Sequence, residues 1–218
     1  LTREATFALP LLAGPEIAVA STKAYTAQII VEAILAHAVG NSEVDLKNEL
    51  AKAAVEMQVI IDQKDKFKII AEQALKNQSS AFYIGRGLDA AVAVEAALKL
   101  KEISYIQTEG FAAGELKHGT ISLIEEGTPV LGLVTQSKTA GLVRGEIAQV
   151  SARGANTVII ASKSLAKAND AYVLPDVDEL LMPLLTVIPA QLIAYYATLD
   201  RGLDVDRPRN LAKSVTVQ

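Results

Sequence analysis

Between Ala90 and Ile103, apolar side chains recur around nearly the whole circumference of a helical wheel. Val92, Val94, Ala96, Ala97, Leu98 and Leu100 leave room for one narrow stripe, Glu95, Lys99 and Glu102. Steps of four and three residues stack these three groups on one face. The apolar remainder predicts a helix covered on most sides. A charged stripe on such a helix is either a paired patch facing solvent, common on ordinary surface helices, or the wall of a polar cleft.

Upstream, Ala5–Leu12 reads as a weak strand, demoted by Pro10 and closed by the turn Ala13-Gly14-Pro15. A helical pattern then runs from Ala24 to about Val39, with Ser21 or Thr22 as N-cap and Gly40 as its stop. His37, set among Ile34, Leu35, Ala36 and Ala38, is expected to be a core or interface side chain. Residues 43–76 give two structural helices separated by Asp62-Gln63-Lys64-Asp65. From Ser79 the pattern changes. Ala81–Ile84 is a short buried strand, Gly85-Arg86-Gly87 a turn, and the striped helix follows. Strand and helix recur at Pro129–Val134 with Lys138–Ala152. A further strand is predicted at Asn156–Ala161 and another at Ala171–Leu174. This alternation predicts an α/β fold, a flavodoxin-like parallel sheet with helices on both faces. An apolar helix from about Pro183 to Leu203 and an extended tail, 204–218, complete the chain.

Composition narrows the chemistry. Of the 218 residues 50% are hydrophobic and 21% charged, enough for a sizeable core, and the apolar runs are broken by Glu32, His37 or Pro183 short of spanning length. No membrane segment is therefore expected. A net charge of -4 with scattered basic residues argues against a nucleic-acid surface. The absence of cysteine removes disulfides, thiolate metal sites and a cysteine nucleophile together, and two histidines are few for a metal site. The first residue is Leu and the methionines are Met57 and Met182, so the chain is expected to be a piece of a longer polypeptide.

Three further features invite chemistry, each with an ordinary alternative. Gly85-Arg86-Gly87 lacks the third glycine of a dinucleotide fingerprint, and a tight turn without phosphate duty explains it equally well. It is expected at the carboxyl ends of the strands, where ligands gather in open parallel sheets. Thr108–Gly119 is a glycine-punctuated polar loop holding His118, able to act as acid or base near neutrality or simply to be solvated. Lys213 lies in the tail, where most lysines are solvated, although desolvation turns such an amine into a nucleophile.

Taken together, Glu16–Tyr25, Gly85-Arg86-Gly87, Glu95–Tyr105, Ala113–Gly119 and the tail Asp204–Val217 resemble the isomerase part of the glutamine-fructose-6-phosphate aminotransferase family, built from sugar-isomerase (SIS) domains. The match runs nearly end to end, and the tail motif Asp206-Arg-Pro-Arg-Asn-Leu-Ala-Lys213 is its most specific part. The resemblance implies an SIS fold and conversion of fructose 6-phosphate, with glutamine-derived ammonia, to glucosamine 6-phosphate. It also implies a cytoplasmic homodimer that uses neither metal nor organic cofactor. By position, Glu102 matches the base that moves a proton between the first two sugar carbons, and Lys213 the amine that forms a Schiff base with the open-chain ketose. His118 matches a group assisting ring opening from the partner subunit. Lys99 and Glu95 match the supporting polar face, and Val19, Ala20 and Ser21 the loop that touches the sugar.

Two departures bear on completeness. Family members carry a glutaminase domain with a cysteine nucleophile, which this cysteine-free chain lacks. Their phosphate-binding Ser/Thr loop would precede Leu1; Thr135–Thr139 looks similar but falls in the second domain, where the resemblance assigns it no phosphate. The expected organisation is the end of a first SIS domain at 1–78, a second at 79–203 and an active-site tail at 204–218. The alternatives are another phosphosugar isomerase or deglycase, or a sugar-phosphate-binding regulatory module without chemistry.

Overall fold

A computed structural model describes residues 3–212. The chain opens with three helices, α1 (Lys23–Val39), α2 (Leu46–Asp62) and α3 (Lys64–Leu75). A βα series follows: β1 (Ser80–Gly85), α4 (Leu88–Ser104), β2 (Gln107–Ala112), β3 (Pro129–Val134), α5 (Ala140–Ser151), β4 (Asn156–Ser162), β5 (Tyr172–Leu174) and α6 (Met182–Asp200). The five strands form one sheet in the order β2-β1-β3-β4-β5, and every neighbouring pair is parallel. This is the flavodoxin-like arrangement, with its topological switch between β1 and β3.

Strand periodicity divides the core between two layers. Ala81 and Tyr83 of β1, with Leu131 and Leu133 of β3, pack beneath α3, α4 and α6. Phe82, Ile84, Val130 and Val134 face the opposite layer, which α5 covers through Val143, Ile147 and Val150. Because both faces are buried, the strands read as unbroken apolar runs. By length and composition alone α6 could cross a membrane, yet 72% of that stretch is buried inside the protein, against α4, α3 and α2. The sequence expectation of short apolar runs failed here because Pro183 sits at the start of this helix, where proline is tolerated, and Pro189 is carried within it.

Four local expectations need correction. Ala5–Leu12 forms no strand; among the described residues nothing pairs with it, and Phe7, Leu9 and Leu12 are exposed. Thr22 occupies the N-cap of α1, but neither its side chain nor that of Ser21 caps the helix. Instead the Glu16 carboxylate accepts from the Thr22 N–H at 2.5 Å. His37 is half-buried at the last turn of α1 rather than in the core. Finally, the first part of the presumed loop 108–119 is edge strand β2. Its Gly110 lies where α4 crosses most closely, and a Cβ there would collide with the Ala93 carbonyl. Glycine punctuation was therefore a packing signal as well as a loop signal.

Candidate functional site

α4 starts at the carboxyl edge of the sheet, just after Gly85-Arg86-Gly87, and runs back to the amino edge, where β2 begins. At 1.5 Å per residue, Glu102 lies about 21 Å along the axis from Leu88. The charged stripe thus runs from the middle of the helix, at Glu95, to the end opposite the glycine turn, at Glu102. The glycine turn and the start of α4 do lie at the carboxyl edge, as expected, whereas Glu102 lies toward the amino edge.

Lys99 is only 4% exposed, so its ammonium cannot be solvated and has to be paired. It lies 2.5 Å from Glu102 Oε1 and 3.4 Å from Glu95 Oε1. Burial pushes the Glu95 carboxyl above its ordinary value; the Lys99 ammonium opposes this, and the Glu102 carboxylate adds to it. Tyr25, in the first turn of α1, is pushed up to about 12 by burial, with the carboxylates of Glu95 and Glu32 adding to it.

Residues 16–22, just before α1, are held by one carboxylate. Glu16 accepts from the Ser21 and Thr22 hydroxyls at 3.2 Å each as well as from the Thr22 N–H. Burial alone would raise this carboxyl, but the Thr22 N–H, the two hydroxyls and the Ala24 N–H outweigh it and hold it below its usual range. Ala20 is buried, and the Val19 N–H donates to the Asp206 carbonyl at 3.0 Å. The Val19 main chain is therefore tied to the C-terminal segment, while Ser21 is tied to Glu16. That segment also reaches the end of α4, where the Arg209 N–H donates to the Tyr105 hydroxyl at 2.7 Å. Lys213 lies outside the described residues.

His118 is not part of this grouping. It is exposed in the 3₁₀ turn Ala113–His118, directly after β2 and hence at the carboxyl edge of the sheet, away from Glu102. The turn at 135–137 is satisfied internally. Asp89 accepts from the Thr135 N–H at 2.7 Å, and Glu179 from the Ser137 N–H at 3.0 Å. A cavity of 510 Å³ lies between α1 and the first turns of α4 and α6, lined by Tyr25, Ile29, His37, Leu88, Val92 and Leu181. It is mainly apolar and includes none of the stripe residues. Sequence reasoning missed Glu16 and Tyr25 as structural parts of the site. An acid six residues before a hydroxyl pair is a capping signal at unusual range, and Tyr25 looked like one more apolar position of α1.

Comparison with known proteins identifies the family and the fold. The SIS domain family profile matches residues 74–201. The chain is 61% identical over 225 residues to glutamine-fructose-6-phosphate aminotransferase (isomerizing) of Lactiplantibacillus plantarum and 60% identical over 223 residues to that of Bacillus subtilis. In both cases all of this chain is covered, and it spans 37% of the relative's length. The C-terminal domain of glucosamine-fructose-6-phosphate aminotransferase from Francisella tularensis superposes with a TM-score of 0.88 at 31% identity, covering 94% of this chain and 61% of that one. The matched profile covers the sheet, α4 with its charged stripe, and α6, and on that basis the chain belongs to the SIS-domain family.

Proposed function

We propose that this chain is the C-terminal portion of the isomerase part of a longer glutamine-fructose-6-phosphate aminotransferase, which converts fructose 6-phosphate and glutamine-derived ammonia to glucosamine 6-phosphate. The observation that carries the reading is the buried Lys99 ammonium held 2.5 Å from Glu102, on the helix whose last turn meets the C-terminal segment. A lone surface ion pair needs no such burial; a proton-transfer site needs a carboxylate held in one orientation.

In this reading Lys213 attacks the ketone of the open-chain sugar and loses water to form an imine. Ammonia then adds to the imine carbon and expels the Lys213 amine; the resulting imine, whose nitrogen is that of the ammonia, acidifies the adjacent C–H, and Glu102 takes that proton and returns it to the former ketone carbon. Lys99 and Glu95 orient the base, while Val19, Ala20 and Ser21 line the sugar. His118 is too far from Glu102 within one chain, which favours its supply by the second subunit of a homodimer to assist ring opening. The division at 1–78, 79–203 and 204–218, a glutaminase domain elsewhere in the parent and a cytoplasmic location complete the proposal.

The test is glutamine dependence. The full-length parent should form glucosamine 6-phosphate from fructose 6-phosphate and glutamine, and the isolated 218-residue chain should form none. Turnover by the isolated chain, or a parent that isomerises the sugar phosphate without nitrogen transfer, would favour another member of the phosphosugar-isomerase class.

A further inference from the structure

We infer that Tyr105 is a positioning residue for the covalent step, a clamp that fixes the C-terminal segment beside Glu102. The inference rests on the function proposed above. Tyr105 ends α4 in the left-handed conformation, with φ 62°, its N–H donating to the Lys101 carbonyl at 3.2 Å. Glycine or asparagine would occupy that backbone with less strain. The tyrosine side chain nevertheless makes two contacts with one residue of the tail. Its hydroxyl accepts the main-chain N–H of Arg209 at 2.7 Å, and its ring lies under the Arg209 guanidinium at 4.1 Å.

The first contact is to main chain, so it fixes the register of the tail as well as its direction. Neighbouring contacts leave that register little freedom. Asp204 Oδ1 accepts from the N–H groups of Asp206 and Arg207, at 2.9 and 3.2 Å, and turns the chain. The Asp206 carbonyl is tied to Val19, and Pro208 is buried.

Glu102 lies three residues before Tyr105, about 4.5 Å along the helix axis. Lys213 follows Arg209 by four residues in the sequence, so the register held here is that of the segment leading to the proposed nucleophile. One side chain therefore ties the helix of the proposed base to the segment that leads to the proposed nucleophile. The cation–π contact adds to the hold from the exposed side, where a guanidinium over a tyrosine ring is moderately favourable.

The experiment compares the full-length wild-type parent with Tyr105→Phe and Tyr105→Asn. Phenylalanine keeps the ring under Arg209 and deletes the hydroxyl acceptor; asparagine tolerates the left-handed backbone and deletes both contacts. Turnover should fall about threefold in Y105F and about tenfold or more in Y105N, with KM for the sugar phosphate unchanged, because placement of the reacting groups is lost while binding is not. Borohydride trapping of the tail lysine should slow in parallel, and amide exchange at Arg209 should quicken in both variants. If Y105N does not fold, Y105F alone decides. Wild-type turnover in the folded variants overturns the clamp, as does slowed turnover with Arg209 exchange and trapping unchanged. A wild-type parent that forms no glucosamine 6-phosphate counts against the proposed function instead, and Arg209 exchange then still decides whether Tyr105 holds the tail.

Discussion

Replacing Glu102 by Gln in the full-length parent is expected to slow isomerisation of fructose 6-phosphate by about a hundredfold or more, with sugar affinity nearly intact. The substitution conserves shape and can still accept one hydrogen bond from the Lys99 ammonium, now 2.5 Å from Glu102 Oε1. It removes only the capacity to carry a proton away from carbon. Loss of kcat with KM unchanged is the signature of a group that acts in the transition state, and steady-state kinetics with a coupled assay would read it. Near-normal isomerisation would reduce Glu95, Lys99 and Glu102 to a structural ion triad.

Lys99→Met should have the largest effect on stability, because it removes a buried cation and leaves two acids behind. Breaking a buried ion pair by deleting one partner costs about 3 kcal/mol, since the surviving charge is stranded. Lys99 is more deeply buried than either carboxylate it serves, with side chains 5% exposed for Lys99 against 14% and 15% for Glu95 and Glu102. The pH dependence has a definite sign. The Glu95 carboxyl is already raised above its ordinary 4.5 by burial, and Lys99 is the opposing charge that the substitution removes. A carboxyl raised in the folded state contributes stability that is present in acid and lost as pH climbs through its folded value. The deficit of the variant relative to wild type should therefore be smaller at about pH 5 than at about pH 8 in urea denaturation. An equal deficit at both pH values would mean that Glu95 does not feel Lys99.

The parts of the fold fixed by periodicity were legible in the sequence. The near-complete apolar wheel of α4 and the unbroken runs of β1, β3 and β4 each require cover on two sides, and only a doubly wound parallel sheet supplies that to all of them. The stripe was equally plain, because i+3 and i+4 spacing alone puts Glu95, Lys99 and Glu102 together. Features that depend on distant chain were hidden. β2 carries no apolar alternation, since Gly110 answers to the crossing of α4 and not to the strand itself. Glu16 caps α1 from six residues before Thr22, outside the spacing of any local capping box. The distance of Glu102 from the glycine turn was also not apparent, because a seventeen-residue helix carries its last turn to the far side of the sheet from its first.

The central claim is that the C-terminal segment delivers a covalent amine to the Glu102 stripe, and imine trapping tests it most directly. Borohydride reduction of the full-length parent during turnover with fructose 6-phosphate, followed by peptide mapping, should place one reduced sugar adduct on Lys213, with none on Lys99. An adduct on Lys99 or another lysine, or none under conditions that support turnover, would contradict the account and leave the tail a structural strap.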